Sequence, residues 1–134
     1  MPTESHETLD IRSSADVVAV RQSARAMAER VGFSLVDQTK LVTAASELAR
    51  NTLIYGGGGT VLVELVGNGV RRGVRLTFED QGPGIPDVTL ALKDGYTSGQ
   101  GLGLGLGGAR RLVNDFTIDS APGSGTRVMI ARWK

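Results

Sequence analysis

Glu47 and Asn51 stand four residues apart in a segment of helical periodicity, so a helix carries this carboxylate and amide on one face. One of the pair can position or activate a hydroxyl while the other takes a hydrated cation; an exposed polar face is the plain alternative. Asp80-Gln81-Gly82-Pro83-Gly84 follows directly on a β-branched, apolar run. A carboxylate is thereby held at a strand end, beside backbone that can approach a ligand closely because Gly82 and Gly84 lack Cβ. An adenine amino group suits Asp80, although a Gly-Pro turn with a solvated aspartate is spelled the same way. Gly101-Leu102-Gly103-Leu104-Gly105-Leu106-Gly107-Gly108 precedes a helical pattern, where free backbone N–H groups and a helix N-terminus can cradle phosphate oxygens. Gly103, Gly105 and Gly108 match GxGxxG, but the preceding LKDGYTSGQ is no apolar strand, which disfavours a dinucleotide fingerprint. A P-loop is absent. Gly123-Ser124-Gly125-Thr126 opens the last apolar run as a turn and can bring the Thr126 hydroxyl inward.

The elements that position these residues follow from caps and periodicity. Residues 7–12 read as a short strand. Ser13 with Asp16 forms a capping box for a first helix, whose apolar face is Val17, Val20, Ala24, Met27 and Val31 and whose stop is Gly32. Ser34 and Asp37 repeat the start signal for a second helix. Leu41, Ala44, Ala45, Leu48 and Leu53 mark its buried side, and it ends near Gly56–Gly59. The runs 60–66 and 74–79 predict an antiparallel hairpin. Residues 86–92 form a turn or short helix, a third helix spans about Gly108 to Phe116, and strands at 117–120 and 127–133 close the chain. Strand runs outnumber strict β-α alternation, so the expected fold is α+β: a two-layer sandwich whose mixed, mostly antiparallel sheet is covered on one face by helices.

Composition narrows the chemistry. A chain of 134 residues with 40% hydrophobic residues can bury one core, and residues 1–134 are expected to form a single domain. Cysteine is absent, which removes thiol chemistry and thiolate zinc sites, and the single histidine, His6, argues against His-rich metal sites or a Ser-His-Asp triad. Fifteen Lys and Arg against fourteen Asp and Glu leave a net charge of +1, which makes no broad case for nucleic acid or a membrane surface. No apolar run reaches a membrane span, and the first residues, MPTESHETLD, lack the pattern of a signal peptide, so the cytoplasm is the expected location.

In this order, Glu47/Asn51, Asp80-x-Gly-x-Gly84, Gly101-x-Gly-x-Gly105 and Gly-x-Gly-Thr126 resemble the N, G1, G2 and G3 boxes of the GHKL ATPase family. SELARNTLIYGGGG, EDQGPGIPD and LVNDF further resemble its small serine kinases of bacterial partner-switching systems. The resemblance runs from about residue 9 onward and implies the Bergerat fold, ATP and Mg²⁺. It implies that Asn51 takes the Mg²⁺, Asp80 bonds the adenine amino group, Gly82 and Gly84 line the base pocket, and Thr126 supports Asp80. Glu47 would orient or deprotonate the substrate serine. The segment from Gly101 would form a lid, with Gly103, Leu104 and Gly105 giving backbone donors to phosphate. These roles match what phosphoryl transfer requires: positioning, a divalent cation and a base near the nucleophile. The implied partners are a STAS-domain antagonist, its scaffold and a PP2C-type phosphatase or other downstream regulator in a stress response. Two departures stand out. No Lys or Arg lies between Lys93 and Arg110, where some relatives carry a lid arginine, leaving Arg50 as a candidate for the γ-phosphate with a surface salt bridge as its alternative. Tyr55 stands near the place of a histidine frequent in relatives. A different class of function, an ATP-gated binding module that sequesters a sigma factor, fits the same motifs. A histidine-kinase ATPase core is a third option, but residues before 9 are not expected to supply a phospho-accepting helical hairpin, so that reading would require a fragment of a longer chain.

Overall fold

In the computed structural model, which describes residues 3–92 and 105–134, serine caps start both long helices. Gly101, Gly103 and Leu104, with the rest of the expected lid before Gly105, lie outside the described residues. Ser13 Oγ accepts from the Asp16 amide at 3.3 Å, and Asp16 Oδ2 accepts from the Arg12 amide at 2.8 Å. These bonds satisfy N–H groups that a first helical turn leaves without partners. Helix α1 then runs Ser14–Val31, with Gly32 as its cap. Ser34 Oγ accepts from the Asp37 amide at 3.1 Å and starts α2, Leu35–Ile54, which stops where the Gly58 amide turns back to the Thr52 carbonyl at 2.9 Å.

Five strands follow the expected plan: β1 (Thr3–Ile11), β2 (Gly59–Gly67), β3 (Arg72–Asp80), β4 (Asp115–Ser120) and β5 (Thr126–Trp133). Their order is β1-β2-β3-β5-β4, and every pairing is antiparallel. Alternation sends Val61, Val63 and Leu65 of β2, Val74, Leu76 and Phe78 of β3, and Val128 and Ile130 of β5 to one face. There they meet Val20 and Ala24 of α1 and Leu41, Ala44, Ala45 and Leu48 of α2, all buried. The two periodicities, two and 3.6, thus converge on one core between a sheet and a helical layer. The opposite sheet face carries polar and charged side chains such as Thr60, Glu64, Arg75 and Thr77, as a one-sided antiparallel sheet allows. Among the described residues no helix is long and apolar enough to cross a membrane.

Two segments differ from expectation. β1 begins at Thr3 rather than residue 7, because its polar first half continues the pairing along β2 as far as Val66 and Thr3 Oγ1 donates to Glu64 Oε2 at 2.7 Å. The third long-range helical segment, α4, spans Gly105–Arg111 after a short α3 at Val88–Ala91. It begins and ends earlier than the periodicity suggests. Leu106 and Ala109 anchor it in the core, whereas Asp115 and Phe116 leave for β4, where Phe116 pairs with Ile130.

Two ion pairs brace this frame, one between α2 and β5 and one across β2 and β3. Arg132 at the end of β5 donates to Asp37 Oδ1 at 2.6 Å and to the Leu112 carbonyl at 2.8 Å, tying the start of α2 and the turn after α4 to the sheet. Arg75 forks onto Glu64 at 2.9 and 3.1 Å. The Arg75 bond holds the Glu64 carboxyl below its ordinary value of 4.5, and the Arg132 bond lowers Asp37 from 3.8. A carboxyl whose folded-state pKa is depressed adds stability that is present above its unfolded value and lost as pH falls through the folded one. Denaturant titrations should therefore find stability falling as pH drops below 4.5. Glu64→Gln should cost about 1.5–3 kcal/mol at neutral pH and show a shallower acid slope; equal stabilities would remove the fork from the account.

Candidate active site

The C-terminal half of α2 meets the ends of β3 and β5 at a cleft of about 460 Å³, a size typical of ligand sites. Glu47, Asn51, Asp80, Gly84, Gly105 and Thr126, all singled out from the sequence, line it. Because Leu41, Ala44, Ala45 and Leu48 face the sheet, the helical repeat carries Glu47 and Asn51 to the cleft side, one turn apart. Glu47 is buried, at 7% exposed, and Asn51 is half-buried. Ionisable side chains are seldom so buried outside a pairing or a functional site, and Glu47 is one that lines the cleft. Ile54 and Tyr55 stand more exposed, farther along the same wall.

Asp80 ends β3, and its Oδ1 accepts from the Gly82 amide at 2.9 Å. The carboxylate is fixed there by close backbone packing. A Cβ on Gly56 would fall on the Asp80 carboxyl group, and one on Gly82 would come within 2.8 Å of Gly56 Cα. Gly56 therefore does more than stop the helix: it lets the end of α2 close directly onto Asp80. Gly82 supports this contact from behind and does not line the cleft. Gly84, at φ 78°, crosses so near the Ala121 carbonyl that any side chain would displace one loop from the other.

Thr126 lies opposite Asp80 in the β3–β5 register, but its hydroxyl bonds Ser120 Oγ at 2.8 Å and not the carboxylate. Ser120 was not singled out from the sequence, where it reads only as the last residue of a strand. Its Oγ accepts from the Ile85 amide at 2.9 Å and donates to the Gly125 carbonyl at 2.9 Å. With that hydrogen committed, it is Thr126 that donates to Ser120. One hydroxyl thus joins the loop after β3, the end of β4 and the start of β5. The available signal was alternation: Phe116, Ile118 and Ser120 share one parity, so a polar residue occupies the core-facing side.

Pro83, Ile85 and Pro86 build an apolar wall, and Asp87 caps α3 by accepting from the Leu90 amide at 2.9 Å. The charged side chains lining the cleft, among the described residues, are three carboxylates, Glu47, Asp80 and Asp87, and one cation, Arg50. Such a site holds a carboxylate, Asp80, at a strand end and an oxygen-donor pair, Glu47 and Asn51, on the helix.

Ser120→Ala should leave the Ile85 amide without its acceptor and the Thr126 hydroxyl without its partner, lowering stability by about 1–3 kcal/mol. Hydrogen exchange at the Ile85 amide should quicken more than in the cores of β2 and β3. An unchanged rate would show that another group holds the loop.

The sequence profile of the family described as histidine kinase-, DNA gyrase B-, and HSP90-like ATPase matches residues 36–134. The chain is 42% identical over 123 residues to the serine/threonine-protein kinase RsbT of Bacillus subtilis (strain 168), covering 92% of each. It is also 31% identical over 101 residues to the anti-sigma F factor of Bacillus licheniformis, covering 70% of this chain and 68% of that one. Two solved structures share the fold. A Mycobacterium tuberculosis protein containing RsbU and RsbW domains matches with a TM-score of 0.65 at 23% identity, over 100% of this chain and 33% of that one, so the likeness spans one part of a longer protein. The mycobacterial sensor histidine kinase MprB matches with a TM-score of 0.56 at 22% identity, over 96% and 97% of the two chains. With its cleft built from the N, G1 and G3 motifs in their expected order, the chain belongs to the histidine kinase-, DNA gyrase B-, and HSP90-like ATPase family, the GHKL ATPases, and within it to the RsbT-like serine/threonine-protein kinases.

Proposed function

We propose that this kinase uses Mg-ATP to phosphorylate a serine of a STAS-domain antagonist held on a scaffold protein, and that its release then activates a downstream regulator such as a PP2C-type phosphatase. The observation that carries the reading is the convergence of Asp80, Asn51 and Glu47 on one cleft, in a chain 42% identical to RsbT. Asp80 has one oxygen occupied by the Gly82 amide and a second, Oδ2, to accept from an adenine amino group. Phe78, Ile85 and Val128 supply apolar walls for a base.

Toward the other end, the residues fit a magnesium ion that arrives with the nucleotide. Among the described residues no group of three or more His, Cys, Asp or Glu could hold a metal, whereas the Asn51 amide oxygen is a hard donor on the cleft wall. Mg²⁺ is commonly held by one or two side chains with phosphates and water completing its octahedron. When bound, it neutralises charge that develops on the phosphate oxygens. Glu47, one turn before Asn51, takes the serine proton as the serine oxygen bonds the γ-phosphorus and the bond to the bridging oxygen breaks, with ADP leaving. A phosphoserine then sits in the interface with the antagonist, where repulsion and poor desolvation favour separation.

Likeness to the anti-sigma F factors favours a second reading, in which the chain is an ATP-gated module that sequesters a sigma factor with little or no transfer. ATP-dependent phosphoserine on a co-encoded STAS protein separates the two. Its absence, with a sigma factor captured instead, would select the second.

Asp80→Asn exchanges a charge-assisted acceptor for an amide and should weaken ATP binding about 10- to 100-fold by calorimetry. Equal affinities would take Asp80 out of the base site. Asn51→Ala should lower nucleotide binding and transfer together at limiting Mg²⁺; activity unchanged there would defeat its metal role. Glu47→Gln keeps shape while removing the base. It should slow single-turnover transfer about 10²- to 10⁴-fold with ATP affinity and partner capture retained, whereas full transfer would make Glu47 structural.

A further inference from the structure

We propose that Arg50 is the cation that binds the terminal phosphate: its guanidinium takes the γ-phosphate of the bound nucleoside triphosphate and holds it for transfer. This deepens the kinase reading above and rests on it.

Charge balance comes first. The described cleft wall carries Glu47, Asp80 and Asp87 against Arg50 alone. A triphosphate remains anionic even with one magnesium ion, and an acidic cleft repels it unless a cation faces the phosphates. The Gly-rich segment cannot provide one between Lys93 and Arg110, where the sequence has no Lys or Arg.

Placement is the second observation. The end of α2 at Gly56 packs on Asp80, which fixes the base end of the cleft. Arg50 lies six residues earlier, roughly 9 Å along the helix axis, beside Asn51 and three residues after Glu47. Its position therefore puts it beside the proposed metal and base residues, away from the end of the cleft that Asp80 occupies.

Partners decide between this role and a surface salt bridge. Among the described residues the half-buried arginines are Arg25, Arg50, Arg75 and Arg132. Arg25 donates to Gln38, Arg75 to Glu64 and Arg132 to Asp37. Arg50 has no ion-pair or hydrogen-bond partner among the described residues, although it lines the cleft. A partly desolvated guanidinium without an acceptor is costly, and its planar fork matches two phosphate oxygens. The vacant partner is supplied by the ligand.

The test uses the full chain and titrates Mg-ATP and Mg-ADP into wild type, Arg50→Ala and Arg50→Lys by calorimetry. The alanine variant should bind ATP about 10- to 100-fold more weakly while ADP affinity stays within about twofold, so preference for the triphosphate disappears. Lysine, a point charge without the fork, should restore part of that preference. Retained ADP binding certifies that the variant is folded, and Arg50→Gln replaces it if Arg50→Ala does not fold. An equal fall for both nucleotides would make Arg50 a wall of the pocket. No change for either would send its side chain to solvent or to a protein partner, a role then visible as lost capture of the STAS protein. Both results overturn the proposal while leaving the kinase reading standing. A wild type that binds neither nucleotide overturns the nucleotide reading itself, and this inference with it.

Discussion

Helix α2 has to bury a stripe of small and aliphatic residues against the sheet, and the remaining features of the cleft depend on that contact. Ala44, Ala45 and Ala49 are fully buried and bring the helix axis close to the strands, while Leu41 and Leu48 fix its rotation. Once rotation is fixed, the helical repeat leaves no freedom over where Glu47, Arg50 and Asn51 emerge. Translation along the axis is set at both ends. Arg132 holds Asp37 at the start, and the close packing of Gly56 on Asp80 stops any slide at the finish. A rigid ruler thus separates the residue that suits a base from those that suit phosphates and metal.

The opposite wall of the cleft is loop, and loops need bonds to be as precise. Ser120 supplies them by joining Ile85, Gly125 and Thr126, so the segment after Asp80 is held by the end of β4 although 35 residues separate Ser120 from Ile85. Preorganisation of this kind is what phosphoryl transfer demands, since the chemistry depends on orientation more than on reactive side chains. Under the proposed function the labour divides accordingly: helix for base catalysis and metal, strand end for recognition, turns for the shape of the pocket.

Much of this was legible because it is written locally. Ser13, Gly32, Ser34 and the hairpin runs declare element boundaries through bonds made within three or four residues. Glu47, Asn51 and Asp80 were legible for the same reason, as each sits in a short motif whose geometry its own element sets. The start of β1 was not, because TESH has no apolar alternation and is held by pairing with β2. The glycine-dense opening of α4 also hid where its helix begins. Poor intrinsic propensity at Gly105, Gly107 and Gly108 is overridden when Leu106 and Ala109 dock in the core. The packing role of Gly56 and the bonding role of Ser120 escaped notice because their decisive contacts, with Asp80 and Ile85, form only when distant segments meet.

The central claim is that α2 spaces a base-recognising carboxylate from a phosphate-and-metal end across one cleft. A crystal structure of the chain with Mg²⁺ and a non-hydrolysable ATP analogue tests it most directly. The account predicts the adenine amino group within hydrogen-bond distance of the Asp80 carboxylate, the metal on the Asn51 amide oxygen, and the terminal phosphate beside Glu47 and Arg50. A nucleotide bound outside this cleft, or lying with its phosphates toward Asp80, would contradict it.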